Sequence, residues 1–108
     1  MLKKLNWEAY SGANRMVIIE HIKELIDTHH GCIIHFNRFS DLALSLSIEV
    51  PENQIAALHK KFQHILQISE LDTSNIDLST EREWLIFMHL SFSKGKGNAK
   101  LDIPNVPG

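Results

Sequence analysis

The chain has 108 residues, of which 44% are hydrophobic, the size and composition of one globular domain with room for one core and no second. A formal net charge of -2, with no dense run of Lys or Arg, argues against a polyanion-binding surface and so against a nucleic-acid module. A single cysteine, Cys32, excludes an intrachain disulfide, and no stretch approaches the ~18 apolar residues of a membrane span.

Residues 1–6, MLKKLN, carry no apolar run after the lysines. No secretory leader is expected, and a cytoplasmic protein follows. Residues 4–10, KLNWEAY, alternate Leu5, Trp7 and Ala9 against Lys4, Asn6, Glu8 and Tyr10. This pattern predicts a short amphipathic strand. Residues 14–30 predict a helix with Ile18, Ile22, Leu25, Ile26 and His29 on one face. Ser11 or Asn14 would cap it, and Gly31 is the expected C′ residue.

Residues 32–39, CIIHFNRF, predict a second strand. Cys32, Ile34 and Phe36 form its more apolar row, and Ile33, His35, Asn37 and Phe39 the mixed one. Cys32 is expected to be buried, the common fate of a thiol in an apolar strand. After Ser40-Asp41, residues 42–50 alternate Leu42, Leu44, Leu46, Ile48 and Val50 against Ala43, Ser45, Ser47 and Glu49. The short connection predicts an antiparallel hairpin. Pro51 ends that strand and opens a helix over 52–67, with Ile55, Leu58, Phe62, Ile65 and Leu66 inward. A polar loop over 69–81 is expected to be tacked down by Leu71, Ile76 and Leu78. Residues 82–93 predict the last strand, with Trp84, Ile86, Met88, Leu90 and Phe92 inward and Leu85, Phe87, His89 and Ser91 outward. The core thus covers about 4–93, and 94–108 form an extended tail that could dock through Leu101, Ile103 and Val106.

Strand, helix, strand, strand, helix, strand resembles the ferredoxin-like fold over roughly residues 4–93. The resemblance implies α+β architecture, with a four-stranded antiparallel sheet in the order fourth, first, third, second and two helices on one face. It is a likeness of topology and implies no function. The outward rows would then share one open face, polar in the middle and apolar at both margins. Ile33, Leu85 and Phe87 are the candidate interface residues. A homodimer through this face, or through an edge strand, is expected.

Candidate chemistry lies on the same face. His35 and His89, on opposite edge strands, would stand roughly 14 Å apart and could not share a zinc ion within one chain. Each could act singly as acid or base. Glu8 and Glu49, on adjacent central strands, could raise each other's pKa. Tyr10, Asn37, Ser45 and Ser47 would supply hydrogen bonds to a small-molecule ligand. No metal is expected, because HxH and CxxC spacings are absent, and no cofactor, because phosphate-cradling glycine motifs are absent. RNA stacking on the sheet is disfavoured, since the third strand's outward row holds no aromatic and Glu49 would repel phosphate. Three functions remain: a binding or interaction module, a cofactor-independent enzyme of the dimeric α+β barrel kind using the His and Glu candidates, and an assembly role for the tail, whose Pro-Asn-Val-Pro segment could lie extended against a neighbouring chain. No motif names a substrate.

Overall fold

The computed structural model describes residues 3–93. The tail expected to dock through Leu101, Ile103 and Val106 lies outside the described residues. Strand β1 (Lys3–Ser11) leads into helix α1 (Arg15–Thr28), then β2 (Cys32–Ser40) and β3 (Ala43–Pro51). A 3₁₀ turn (Glu52–Gln54) precedes α2 (Ile55–Gln63), a two-residue strand β4 (Gln67–Ile68) and β5 (Glu83–Phe92). Among the described residues no helix is long and apolar enough to cross a membrane.

The architecture is α+β, with both helices contributing to one core. Ile18, Ile22 and Ile26 of α1 and Ile55, Leu58 and Phe62 of α2 bury against Trp7, Leu46, Ile48, Trp84, Ile86 and Met88 of the sheet. The period-two pattern assigns the facing correctly on β1, β3 and β5, because alternation follows directly from strand geometry.

The expected strand order does not hold. The sheet has five strands in the order β2-β3-β5-β1-β4 and is mixed, with β5 parallel to β1 and antiparallel to β3. The last strand therefore lies between β1 and β3 and not at an edge. Its inward row, Trp84, Ile86, Met88, Leu90 and Phe92, is entirely buried. A central position shields that row from both sides. The chain just after α2 supplies the outer strand instead: Gln67 and Ile68 pair with Tyr10 and Ala9. The 69–82 stretch then carries the chain back to the centre of the sheet.

Other expectations shift locally. Asn14 caps α1, its Oδ1 accepting from the Met16 and Val17 amides at 3.0 and 3.2 Å. At the other end the left-handed C′ residue is His30, with φ 62°, and not Gly31. The His30 N–H donates to Asp27 O and the Gly31 N–H to Ile26 O, the paired bonds of a Schellman turn. Glycine is needed at 31 for a different reason. A Cβ there would stand 3.0 Å from Glu49 O and 3.1 Å from Ile26 Cγ2.

On β2 the expected facing fails. Cys32 is exposed, and Ile33, opposite Ile48, packs against the core. A register irregularity between Ile33 and His35 absorbs Ile34, so His35 and Asn37 return to the open face opposite Ser47 and Ser45. Phe36 opposes Leu46 on the helix side but stays exposed.

The 69–82 loop is held by Glu52, whose buried carboxylate accepts from the Asp77 amide at 2.8 Å and from the Thr80 hydroxyl. These hydrogen bonds, Thr80 first, hold the Glu52 pKa below the ordinary carboxylate value. Leu71 and Ile76 pack on the core as expected, whereas Leu78 is exposed. His59, on the inner face of α2, is buried with its ring edge-on to Trp7 at 5.1 Å. Its Nε2 lies 2.7 Å from Ser69 O, joining α2 to the chain just after β4.

Candidate functional site

Cross-strand registers order the open face into rows, since residues directly opposite share a side of the sheet. The central row runs Glu8 (β1), His89 (β5), Ser45 (β3) and Asn37 (β2). The row below runs Asn6, Phe87, Ser47 and His35, and the next Lys4, Leu85, Glu49 and Cys32. Above the central row lie Tyr10, Ser91, Ala43 and Ser40. Among the described residues no helix or strand lies over this face.

The central placement of β5 redistributes the candidates. Glu8 and Glu49 are separated by β5 and by four positions along it, roughly 16 Å on strand dimensions, so they form no carboxylate pair. His35 and His89 are two strands apart, not three, and lie in neighbouring rows, roughly 12 Å from each other. Glu8 is instead the direct neighbour of His89, and Ser45 flanks that imidazole on its other side.

Asn6, Glu8, Ser45, Ser47, Phe87 and His89 line an open groove of about 320 Å³ at the middle of the face, floored by the backbone of Trp7, Leu46 and Met88, whose side chains are buried on the other side of the sheet. Phe39, from the end of β2, packs edge-on against the His89 ring with 5.8 Å between centroids and walls that side. Tyr10 stands apart from the groove: its hydroxyl lies 3.9 Å from where a Cβ on Gly12 would be. Asn37 extends the central row beyond the groove, and Leu85 is half-buried on the face below it. Ile33, a candidate for the interface, points to the helix side and leaves the open face.

Charge is uneven along the sheet. Glu83, at the start of β5, lies diagonally across from Glu49. Partial burial, and then the Glu49 charge, raise its pKa above the ordinary carboxylate value. Among the described residues no three His, Cys, Asp or Glu side chains gather as a metal site.

Sequence pattern did not reveal that Glu8 and His89 are direct partners with Ser45 on the other side, because that depends on the direction and register of β5 and on its place between β1 and β3. Nor did it reveal how many apolar side chains of the β2–β3 hairpin stay exposed. There Ile34 is 51% exposed, Phe36 41%, Phe39 62% and Leu42 39%. The run of apolar residues in CIIHFNRF was its one signal. Comparison with protein families, with curated proteins and with solved structures finds no match to this chain.

Proposed function

We propose that this protein is a small interaction module that pairs with a second copy of itself along β2 and offers the open sheet face to a ligand. The observation that carries this is the β2 hairpin. β2 ends the sheet, so one row of its backbone groups has no strand partner among the described residues, and Ile34 and Phe36 stand exposed on that strand. Large apolar side chains beside an unpaired edge mark a contact surface more often than a bare one. Antiparallel self-pairing centred on Phe36 would set Arg38 opposite Ile34, His35 opposite Asn37 and Cys32 opposite Ser40, with no like charges facing. The product is one continuous sheet across a two-fold axis.

Sedimentation velocity over a range of concentrations tests the pairing. The parent chain should sediment as a dimer, and Ile34→Lys, a charge on the edge, should return it to a monomer whose melting temperature matches that of the parent diluted until it dissociates. A parent chain that stays monomeric at every concentration contradicts the proposal.

A second reading, a cofactor-independent catalyst, is favoured by one observation, the placing of Glu8 beside His89 in a groove also lined by Ser45. In it His89 moves the proton and Glu8 orients the imidazole. Turnover of a carbonyl or ester substrate that His89→Gln abolishes, with folding intact, would support it. Equal turnover by the variant would remove it.

A further inference from the structure

The chemistry of the groove points to a particular class of ligand. We infer that it takes a small amine, a protonated ammonium group carried on an aryl or alkyl body. The inference deepens the ligand-binding half of the proposed function and does not depend on pairing along β2.

Glu8 is the only Asp, Glu, Lys or Arg among the residues lining the groove. Its backbone is occupied, the amide donating to Ser69 Oγ at 3.0 Å and the carbonyl accepting from the Ser69 amide at 2.8 Å. Among the described residues its carboxylate is in neither a salt bridge nor a side-chain hydrogen bond. An entering cation therefore displaces no existing partner. Among the described residues the cation of this face, Lys4, stands four residues back along β1, roughly 13 Å away on strand dimensions, too far to neutralise Glu8 directly.

The remaining walls fit what an amine carries. Ser45 Oγ, Ser47 Oγ and the Asn6 amide oxygen can accept ammonium N–H donors that Glu8 does not take. Phe87, 37% exposed, presents aromatic surface to the groove, and Phe39 presses on His89 beside it. An aromatic ring next to a carboxylate suits an organic cation, through ring electrons and through the apolar body that hydration opposes. A volume near 320 Å³ lies at the small end of ligand sites and admits a single-ring amine. Carboxylate or phosphate ligands would meet Glu8 without a lining Lys or Arg to offset it.

The test uses the full chain and three probes of one shape: 2-phenylethylammonium, 2-phenylethanol and phenylacetate, followed by NMR. Saturable shifts centred on Glu8, Phe87 and His89 are expected with the ammonium alone, weakening as salt rises. Glu8→Gln should weaken binding by about tenfold or more, the loss expected when a charged partner is removed. Glu49→Gln, on the same face outside the groove, should leave binding unchanged. Equal response to all three probes, shifts mapping elsewhere, or an unaffected Glu8→Gln overturns the assignment. A joint Lys94→Gln, Lys96→Gln and Lys100→Gln variant should bind the probe with parent affinity. A clear gain would mean the chain's own lysines occupy the groove, and would overturn the assignment to a free amine.

Discussion

β5 and β2 are both apolar strands of nearly equal length, yet they meet opposite fates. Every second residue of β5, from Trp84 to Phe92, is buried, while no residue of β2 is. Alternation accounts for β5, whose inward row faces helices and whose edges are both paired. It cannot account for β2, where an irregular register and a missing neighbour leave Ile34, Phe36 and Phe39 in the open. A strand's pattern fixes how its sides differ. Its rank in the sheet decides how much each side buries.

That contrast can be broken most forcefully in the core. Ile86→Ala on β5 removes a fully buried side chain and should cost ~2–5 kcal/mol. Ile34→Ala on β2 should cost less than about 1 kcal/mol in the dissociated chain. Urea unfolding of both variants under dissociating conditions checks this, and equal losses would erase the distinction.

The root of β2 gives the next largest effect. At Gly31 an added methyl would press on Glu49 O and the Ile26 and Val50 side chains, so Gly31→Ala should destabilise by about 1–3 kcal/mol in the same assay. One residue earlier the sign reverses. His30 holds a left-handed φ that glycine adopts without strain, so His30→Gly should stabilise by up to about 1 kcal/mol. Loss of stability on that change would mean the imidazole contributes more than the backbone strain costs.

The smallest effect concerns the approach to β5. Glu52 has a folded pKa lowered by Thr80 and the Asp77 amide. Its stabilising contribution is therefore complete above its unfolded pKa and is lost as pH falls through the folded value. Glu83, raised by partial burial and by Glu49, acts with the opposite sign and weakens the fold slightly as pH rises through its folded value. The parent chain should exceed Glu52→Gln in melting temperature at neutral pH, and the gap should narrow well below pH 4.5. Amide exchange at Asp77, whose N–H the carboxylate accepts, should quicken in the variant. A gap independent of pH would remove the carboxylate from the anchoring of the loop.

Much of this fold is legible in the amino-acid sequence, and the limits have physical causes. The buried rows of β1, β3 and β5, and the inner faces of α1 and α2, follow from periodicities of two and 3.6, which are local properties. The order of the strands is not local. Two residues, Gln67 and Ile68, take the edge beside β1 and leave the centre to β5, and nothing in so short a stretch marks it as a strand. The slip at Ile34, which sends Ile33 inward and Cys32 outward, is a one-residue event that alternation cannot foresee. The candidate site divides in the same way. That Glu8, Asn37, Ser45 and His89 share the open face could be read from the pattern. That Glu8 and Ser45 both flank His89, while Glu49 is far from Glu8, could not.

The central claim is that β5 separates β1 from β3 and so assembles the Glu8–His89–Ser45 row. Cross-strand backbone NOEs test it most directly. The account predicts contacts from the His89 neighbourhood to both Glu8 and Ser45, parallel in pattern on the first side and antiparallel on the second. Direct cross-strand contacts between β1 and β3, with His89 beside β1 alone, would contradict it.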